Sequence, residues 1–579
     1  MSTTTPPAPL VGRSRPRPRW VVAEPPDAQL VGRLASDLRL PDEVCRLLVA
    51  RGHAAPDAAK EFLRPRLERL HPARLLMGLD AAVERLAAAT RAGETVLVHG
   101  DYDVDGICST TLLVRALRHL GANPVPFIPH RVRDGYDLTD AGVEAAIRAG
   151  ARVMVTCDCG TSAHPAVAKL CAAGIDVIIT DHHLPGGPVP QCLAVVNPKQ
   201  PGCEYPDKDL AAVGLAFKLV GALAEHLGAS PNVALHMLDL VALATIADIA
   251  PLRGENRVLA RYGLKLLSES PNAGIRALVR SSGLEGKPLT AGRVGFILAP
   301  RLNAVGRLGH ALRGVELLMC EDDAAANRIA RELEELNRKR QELDRATLDQ
   351  ARRMLDRLDM DETFGIVLAS EQWHPGVIGI VASRVVEETG RPAVLVALQD
   401  GEGKGSGRSI PALDLHATLG ECRDLLLRFG GHRAAAGVTV AAGQVDAFAR
   451  RFDEAARRRL SREDLVPELR VDLELPIDAV GEELESLLRH FEPFGMGNPS
   501  PVLASRGVRL SAAPRVVGSD GLKLCLRTPR GDMEAIGWGM GPRQSELSAD
   551  STIDLAYRLE RDTYGGASRL VAKIADFRA

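Results

Sequence analysis

The chain has 579 residues, of which 46% are hydrophobic and 25% charged. A chain of this length is too long for one hydrophobic core, and its composition is that of soluble globular proteins, so we expect three or four domains. The formal net charge of −2 excludes a global basic signature of nucleic-acid binding. Any nucleic-acid surface would therefore be a local patch.

The ten cysteines are scattered and include no Cys-x-x-Cys pair. The close pair Cys157 and Cys159 does not have the spacing of a structural zinc site. The sequence shows no signal peptide and no apolar run long enough to span a membrane. We therefore expect a cytoplasmic protein with reduced thiols and no membrane contact.

The chain begins with residues 1–25, whose proline and arginine content predicts a disordered tail. A small helical region follows at residues 26–77. Between residues 78 and 265, short β-branched runs alternate with helical patterns, as in a parallel, doubly wound α/β domain. The predicted strands are 96–98, 125–128, 153–156 and 177–180, and the predicted helices are 109–120, 139–149, 166–173, 210–227 and 232–247. Residues 266–322 extend this domain with further helices.

Residue types that bind metals follow three of these strands. They are Asp101, Asp103, Asp105, Asp158, His182 and His183. Open α/β sheets place functional groups outside the carboxyl ends of their strands, so these side chains should converge. A single Asp at a strand end is more often a helix cap or turn residue, but three such ends in order favour a metal site. Asp248, at the end of an apolar helix, is a further candidate, although a lone Asp there is more often a solvated terminus.

Converging carboxylates repel one another unless a cation neutralises them. The mixture of carboxylate and imidazole favours a transition metal, so we expect two manganese ions about 3.5 to 4 Å apart, with magnesium as the alternative. The run Asp101-x-Asp103-x-Asp105-Gly106 also resembles the opening of an EF-hand calcium loop. That interpretation fails because the twelfth position is Leu112 and the preceding residues read as a strand.

Residues 323–360 are highly charged, with apolar residues at helical spacings and no proline or glycine. This pattern predicts one long helix of roughly 50 Å. We interpret the helix as a strut that joins two domains. A coiled-coil dimer arm is the competing interpretation, but the apolar positions hold heptad register poorly.

Residues 361–465 form a second α/β region that carries glycine-rich segments. The segments predicted as turns are 373–379, 405–409 and 430–437. Backbone N–H groups at such turns bind anions, and Arg408 and His432 beside them suit phosphate. For any one segment, an ordinary turn with solvated side chains is an equally good interpretation.

Residues 466–579 contain six strand-like runs, which predict a small β-barrel of the OB fold. The runs are 502–510, 514–517, 522–527, 533–538, 552–560 and 569–577. An OB fold has five strands, so one run must be a strand extension or a wrong prediction. Such barrels often bind single-stranded nucleic acid, although aromatic side chains are scarce here.

With these motifs the chain resembles the DHH phosphoesterase superfamily, named for the triplet present here as Asp181-His182-His183. It is most similar to the RecJ branch, the single-stranded-DNA-specific exonucleases. The resemblance runs from about residue 75 to the C-terminus and includes the Gly430-Gly431-His432 motif of a DHHA1 domain and the segment 491–499. It implies a parallel-sheet DHH domain joined by a long helix to an α/β DHHA1 domain, plus a C-terminal OB barrel.

The resemblance also implies roles for individual residues. Metal ligands would be Asp103, Asp105, Asp158, His182 and Asp248, with His99 added from the pyrophosphatase branch. His183 would contact the scissile phosphate, and Asp101 would orient the ligands. Substrate contacts are assigned to Arg131, Arg301, Asn303, Arg307, His374, Arg408, Ser409 and His432. Of these, the three residues 301, 303 and 307 either line the substrate cleft or cap a helix.

The implied reaction is two-metal hydrolysis of single-stranded DNA from 5′ to 3′, with release of 5′-mononucleotides, in DNA repair and recombination. A helicase and a single-strand-binding protein are expected partners of a monomeric enzyme. One alternative is a DHH phosphodiesterase for short RNA or cyclic dinucleotides, but those relatives lack the strut and OB region. Another is a non-catalytic scaffold derived from the nuclease, which would have no reason to keep buried carboxylates that are costly without a metal.

Overall fold

The computed structural model describes residues 17–562 and 568–579. Its contacts divide the chain into two units. The first, here called the catalytic unit, consists of residues 63–340 and 491–499. The second, the accessory unit, consists of residues up to 62, 341–490 and 500–579. No helix in the described parts of the chain is long and apolar enough to cross a membrane.

Helices and strands alternate along most of the chain. The helices are α1 (Ala28–Leu38), α2 (Asp42–Ala50), α3 (Pro56–Leu63), α4 (Leu79–Ala92), α5 (Val104–His119), α6 (Asp140–Arg148), α7 (His164–Ala172), α8 (Ala212–His226), α9 (Asn232–Leu235), α10 (Leu238–Ala247), α11 (Gly254–Ser268), α12 (Ala273–Ser281), α13 (Ala291–Arg293), α14 (Ala299–Leu308), α15 (Leu312–Met319), α16 (Asp323–Leu355), α17 (Ile378–Thr389), α18 (Leu415–Gly420), α19 (Val445–Arg459) and α20 (Glu482–Leu488). The strands are β1 (Arg19–Val22), β2 (Thr95–Gly100), β3 (Asn123–Phe127), β4 (Val153–Cys157), β5 (Asp176–Thr180), β6 (Ala194–Val196), β7 (Ile366–Ser370), β8 (Ala393–Gln399), β9 (Glu402–Arg408), β10 (Arg428–Gly431), β11 (Ala435–Ala441), β12 (Glu468–Val471), β13 (Leu473–Glu474), β14 (Leu503–Arg509), β15 (Arg515–Val517), β16 (Gly521–Thr528), β17 (Gly531–Gly537), β18 (Thr552–Asp562) and β19 (Arg569–Arg578).

The catalytic unit is built on a five-stranded parallel sheet in the order β3-β2-β4-β5-β6. Alternate residues of each strand face opposite sides, so Val96 and Val98 pack with α4, α5, α8 and α10, whereas Leu97 packs with α6 and α7. Both faces are therefore covered, as parallel sheets require. The predicted doubly wound α/β class is confirmed.

Two details of this unit differ from the prediction. The three-residue strand β6 was not predicted, because so short a run gives little periodicity. The helix predicted over residues 232–247 is two helices, α9 and α10, separated at His236 and Met237.

The long helix is present as α16, which has 33 residues. Its apolar residues are buried within the chain: Leu333 packs in the core of the catalytic unit, and Leu348 and Leu355 pack in a core of the accessory unit. A coiled-coil arm would need these side chains for a partner, so the packing disfavours that alternative.

In the accessory unit, the strands of the predicted DHHA1 region form a five-stranded sheet in the order β10-β11-β9-β8-β7. The segment 405–409 was predicted as a turn, and this is wrong for most of it, because Gly405–Arg408 lies in strand β9. Glycine occurs in this strand because valine side chains of the two neighbouring strands fill the space beside it: a Cβ on Gly405 would lie 2.4 Å from Cγ2 of Val438, its partner in β11. The turn predicted over residues 430–437 is also wrong for most of its length, because Gly430 and Gly431 end β10 and Ala435–Gly437 begin β11. Only residues 432–434, which include His432, connect the two strands.

All six strand-like runs predicted near the C-terminus are strands. Five of them, β14, β18, β19, β17 and β16, pair in that order, and a bridge between Leu510 and Leu526 joins the two ends into a barrel. The sixth run, Arg515–Val517, is the edge strand β15, which pairs only with β16. The predicted OB barrel is thus confirmed, but the sixth run is a separate edge strand and not, as expected, a strand extension or a wrong prediction.

The predicted disordered tail needs a correction. Residues 1–16 lie outside the described part of the chain, but Arg19–Val22 within the predicted tail form strand β1. This strand pairs in parallel with Glu468–Val471, and Trp20 is 9% exposed. A single tryptophan among prolines and arginines gave too weak a pattern to predict this pairing.

Candidate metal centre

The candidate site lies where the strand order of the parallel sheet reverses. β2 is flanked by β3 on one side and by β4 on the other, so the connection after β2 and the connection after β4 run in opposite directions across the sheet. Such a switch point opens a crevice at the carboxyl ends of the two strands. Asp101 and Asp158 are the first residues beyond β2 and β4. The topology therefore brings the predicted acidic segments to one crevice.

Backbone N–H groups hold the two carboxylates at the start of α5. Asp103 caps this helix, and its Oδ1 accepts the N–H groups of Asp105 (2.9 Å) and Gly106 (3.1 Å). The buried carboxylate of Asp105 accepts the N–H groups of Ala212 (2.8 Å) and Val213 (2.9 Å) at the start of α8. Helix N-termini stabilise negative charge, so both carboxylates are oriented by the fold itself.

Asp158 has a left-handed backbone (φ 65°), which is uncommon for a residue with a side chain. Its N–H donates to the carbonyl of Thr180 at 3.0 Å, which ties the end of β4 to the end of β5. Its side chain is 3% exposed. Strained, buried residues of this kind cluster at functional sites.

Asp181 organises the two histidines of the triplet. Its Oδ1 accepts the backbone N–H groups of His182 (2.8 Å) and His183 (3.1 Å) and lies 2.7 Å from Nδ1 of His183. Its Oδ2 accepts the N–H of Thr161 at 3.0 Å. The amide of Asn197 donates to the backbone carbonyl of His183 at 2.9 Å. These bonds fix the directions in which both imidazoles point.

The structure brings most of the predicted ligands together in three overlapping groups. Within each group, the ligand atoms lie within 4.8 Å of one another. The groups are Asp158, His182 and His183; Asp105, His182 and Asp248; and Asp101, Asp103 and Asp158. Because Asp158 and His182 each belong to two groups, the arrangement suits ions that share ligands.

The donor atoms at the centre fit a divalent metal. Oδ1 of Asp101, Oδ1 of Asp158 and Nε2 of His182 are buried and have no hydrogen-bond partner among the described residues. Unpaired buried polar atoms are costly. The Asp158 and His182 atoms lie only 3.1 Å apart, so they point to the same place. Carboxylate oxygen and imidazole nitrogen aimed at one point are a donor set typical of a metal site.

Burial raises the pKa of the acidic side chains. The pKa of Asp105 is raised to about 7 by burial and by the charge of Asp103. Burial is also the main cause that raises the pKa of Asp101, Asp158 and Asp248 well above their usual value, with neighbouring carboxylates adding to it. A cation that binds here would therefore displace protons.

The two histidines differ in protonation. Burial lowers the pKa of His182 to about 3, so its imidazole is neutral, as a metal ligand must be. Burial also disfavours charge on His183, but the hydrogen bond and the charge of Asp181 outweigh it and raise the pKa of His183 to about 9. A cationic imidazole suits contact with a phosphate oxygen.

His99 does not join these groups. Its ring is buried beside Phe127, with Nδ1 3.4 Å from Sγ of Cys159. Its Nε2 faces Gly142, where a Cβ would lie 2.9 Å away. Burial lowers the pKa of His99 to about 4, so the ring is neutral. Metal ligation by His99 stays a prediction that this geometry does not favour.

The predicted substrate contacts of the catalytic unit have different surroundings. The guanidinium of Arg131 lies 4.7 Å from the ring centre of Tyr102, the residue after Asp101, and so stands beside the centre. Arg301 instead binds Glu334 (Nε to Oε2, 2.5 Å) and the carbonyl of Ile297 (2.5 Å).

Asn303 and Arg307 are half-buried on α14. This helix lies close to the acidic loop, because a Cβ on Gly306 would be 2.1 Å from the backbone oxygen of Tyr102. Of the residues predicted on this helix, Arg307 is next to that contact, whereas Arg301 acts within the fold.

The other four predicted contacts lie in the accessory unit. Arg408 donates to Oγ of Ser406 (3.1 Å) and to the carbonyl of Gly407 (2.8 Å). Its Nη2 would lie 3.1 Å from a Cβ on Gly379, so the guanidinium stands at the start of α17. The structure thus brings Arg408 to a helix N-terminus, where an anion is favoured.

The other three predicted contacts of the accessory unit make local hydrogen bonds or are exposed. His374 accepts the N–H of Gly376 through Nδ1 at 3.0 Å. Ser409 donates its hydroxyl to the carbonyl of Leu413 at 3.0 Å. His432 is exposed in the hairpin turn after β10.

Sequence reasoning missed three residues of the centre. Asp181 belongs to the triplet but was not assigned a role, although a carboxylate before two histidines is a signal for hydrogen bonding to them. Tyr136, whose hydroxyl lies 3.2 Å from Nε2 of His183, comes from a loop with no recognisable pattern. Asn197 follows β6, so it was lost with that strand.

Three family models match this chain. The DHH family N-terminal domain matches residues 95–245, the DHHA1 domain residues 362–458 and the RecJ OB domain residues 471–576. A relative from Bacillus subtilis, named single-stranded-DNA-specific exonuclease RecJ, is 37% identical over 96% of this chain and 70% of its own length. A relative of the same name from Salmonella typhimurium is 36% identical over 95% of this chain and 98% of its own length. The chain belongs to the RecJ family.

Solved structures agree with this membership. The crystal structure of RecJ from Thermus thermophilus in complex with Mn²⁺ has 35% sequence identity to this chain and a TM-score of 0.83. The match covers 97% of this chain and 79% of that one. The structure of RecJ in complex with Mg²⁺ from the same organism gives a TM-score of 0.78 at 33% identity. The mixed α/β architecture with DHH, DHHA1 and OB domains is therefore that of the RecJ family.

Proposed function

We propose that this chain is an exonuclease that degrades single-stranded DNA from 5′ to 3′ and releases 5′-mononucleotides by metal-dependent hydrolysis. The observation that carries the proposal is the convergence of Asp101, Asp103, Asp105, Asp158, His182 and Asp248 at the sheet's switch point. The full-length similarity to RecJ relatives supports the choice of single-stranded DNA as the substrate. DNA repair and recombination are the processes that such an activity would serve.

Asp103, Asp105, Asp158, His182 and Asp248 would hold the metal. We propose two manganese ions, with magnesium as the alternative, because the groups share Asp158 and include imidazole. When bound, such ions activate water and stabilise charge on a transferring phosphate. Asp101 would orient the ligands around Asp158.

The chain's own residues supply the remaining features. His183, with its pKa raised to about 9, would donate a hydrogen bond from a cationic imidazole to a phosphate oxygen. Asp181 keeps that imidazole charged and oriented through its 2.7 Å bond to Nδ1. Because one Nδ1–H is committed to Asp181, Nε2 is the nitrogen that is left for the phosphate or for the hydroxyl of Tyr136.

In the catalytic unit, Arg131 and Arg307 would contact the DNA strand near the metal centre. Asn303 and Arg301, which lie on α14 with Arg307, are the further proposed contacts of this unit. His374, Arg408, Ser409 and His432 in the DHHA1 domain would contact DNA phosphates, and the position of Arg408 at the start of α17 supports this role most directly. A helicase and a single-strand-binding protein are proposed partners of a monomer that acts in the cytoplasm.

The test uses purified protein with Mn²⁺ and a DNA oligonucleotide labelled at its 3′ end, next to the matching duplex and RNA. We expect stepwise shortening of the single strand, and no activity in the Asp158→Ala variant. A second label at the 5′ end reports polarity, because release of labelled mononucleotide at the first step requires attack from that end.

Other outcomes would replace the proposal. Cleavage confined to fragments of two to four nucleotides would indicate a phosphodiesterase for short RNA or cyclic dinucleotides. Intact metal binding without any hydrolysis would indicate a nuclease-derived scaffold.

A further inference from the structure

An exposed, strained residue follows the predicted ligand Asp248. Ile249 has a left-handed backbone (φ 59°), and 63% of its surface is exposed. It closes helix α10 with hydrogen bonds from its own N–H to Ile246 (3.2 Å) and from Ala250 to Thr245 (3.2 Å). Glycine usually occupies this position, because a β-branched side chain is disfavoured there. The fold itself gains little from this side chain, since most of it is in contact with solvent.

An exposed aromatic residue belongs to a turn that packs near the same end of α10. Phe296 is 81% exposed, more than any other large hydrophobic side chain in the described residues. It occupies a π-helical turn, Val294–Leu298, between α13 and α14. The neighbouring Gly295 packs on α10, because a Cβ there would lie 3.6 Å from Cγ2 of Ile246. π-Helical turns occur often at functional sites.

Arg301 stabilises the turn that presents this ring. Its Nη1 donates to the carbonyl of Ile297 at 2.5 Å, and its Nε binds Glu334. The guanidinium thus joins a carbonyl of the π-helical turn to the carboxylate of Glu334. These hydrogen bonds fix the turn from which the side chain of Phe296 projects.

We propose that Ile249 and Phe296 form an apolar platform on which a nucleobase of the DNA strand packs beside the metal centre. Proteins that bind single strands without sequence preference stack bases on aromatic rings, since every base has a π-face. Only 3% of this chain is aromatic, so a ring exposed next to a ligand-bearing helix is notable in its composition. This inference rests on the proposed function, because it assumes a single-stranded nucleic acid as the substrate.

The first test is a double-mutant cycle between protein and DNA. Oligonucleotides that carry one abasic site at each successive position are bound to the Asp158→Asn protein with Mn²⁺, which keeps the strand intact, and affinity is measured by fluorescence anisotropy. We expect one abasic position to weaken binding about tenfold, Phe296→Ala to weaken binding of the intact strand by the same factor, and the two changes together to add nothing further. Phe296→Trp should retain the affinity.

Ile147→Ala is the matched control, because Ile147 is 55% exposed on α6 of the same unit and should not affect binding. If no abasic position distinguishes the protein from its Phe296→Ala variant, the platform is not used and the inference is overturned.

The role of the Ile249 side chain is tested with a glycine substitution that relieves its backbone strain. Ile249→Gly should raise the unfolding temperature by a few degrees, since glycine adopts this backbone freely, and yet weaken binding of the intact strand several-fold. Arg39→Gly is the control, because Arg39 also has a left-handed backbone (φ 54°) but ends α1 in the accessory unit. The Arg39→Gly protein should gain stability without losing affinity for the intact DNA strand. A more stable Ile249→Gly protein with unchanged affinity would contradict a role of this side chain in the platform.

Failure of the inference can be separated from failure of the proposed function. With an unaltered active site, the Phe296→Ala protein should show a raised KM and a nearly unchanged kcat on single-stranded DNA. Hydrolysis with identical KM values in both proteins would overturn the platform alone. Absence of hydrolysis and of single-strand binding in the parent protein would overturn the proposed function and the platform with it.

Discussion

The metal centre and the OB barrel differ in whether their acidic side chains are paired with basic ones. At the centre, Asp101, Asp105 and Asp158 are buried with no cationic side chain among the predicted ligands. In the barrel, basic residues are matched by acids: Arg506 with Glu474 and Asp554, Arg543 with Glu546 and Asp576, and Arg561 with Glu482 and Glu485. A buried excess of negative charge marks a region that needs a ligand, whereas charges paired with the opposite sign serve the fold, and the exposed pairs among them contribute little to stability.

The strongest test of this contrast is Asp158→Asn. Removing the charge that two ligand groups share should reduce DNA hydrolysis by at least about 10³-fold, measured as single-turnover rates at saturating Mn²⁺. Because burial penalises that same charge, the metal-free variant should be more stable than the metal-free parent. A variant that loses stability without metal would show that the site is not strained by its carboxylates.

A smaller loss is expected from Asp181→Asn. The amide keeps the shape but removes the charge that raises the pKa of His183 to about 9. Activity should fall about 10- to 100-fold, and the alkaline limb of the pH–rate profile should move to lower pH. An unchanged profile with reduced activity would assign Asp181 a purely structural role.

The pH dependence of metal stabilisation follows from Asp105. Its folded-state pKa of about 7 is above the ordinary value, so it contributes stability that is fully present below pH 4 and is lost as the pH rises through 7. Metal binding removes this loss, because the ion binds the ionised form. The rise in unfolding temperature on adding Mn²⁺ should therefore be larger at pH 8 than at pH 6, as measured by calorimetry. Equal rises at both pH values would contradict the raised pKa.

Substitutions of charged residues in the barrel should have the smallest effects on stability, except where the charged residue is buried. Lys573 and Glu560 form an exposed pair (3.3 Å), so Lys573→Ala should change the free energy of unfolding by less than about 1 kcal/mol. Asp576 is buried and binds Trp20 (2.6 Å) and Arg543 (2.7 Å), so Asp576→Ala should cost about 3 kcal/mol. Urea unfolding of both variants checks the difference, and similar costs would show that burial does not govern these pairs.

The sequence predicted those parts of the molecule that repeat a strong local pattern. The doubly wound sheet, the long helix and the barrel strands all have clear periodicity, and the acidic residues follow strands whose ends must meet in a parallel sheet. Strand β6 and the following Asn197 were not predicted, because a strand of three residues carries almost no periodic signal. The segment Gly405–Arg408 was taken for a turn because glycine is usually a breaker, whereas here close-packed valines select it.

Side chains that depend on tertiary contacts were beyond such reasoning. Tyr136 reaches His183 from a loop 47 residues earlier in the chain, and no spacing rule links them. Arg301 was predicted to line the substrate cleft or to cap a helix, but nothing in the neighbouring sequence revealed that Glu334, 33 residues later, binds its guanidinium.

The pairing of β1 with β12 has a consequence for synthesis on the ribosome. Arg19 and Glu468 are separated by 449 residues, so the first strand of the accessory unit emerges long before its partner exists. At roughly 5–20 residues per second, this interval lasts about 20 to 90 s. Throughout that time Trp20 lacks the carboxylate of Asp576 that receives its indole N–H in the finished protein. Strand β1 is therefore translated long before it can reach its native contacts.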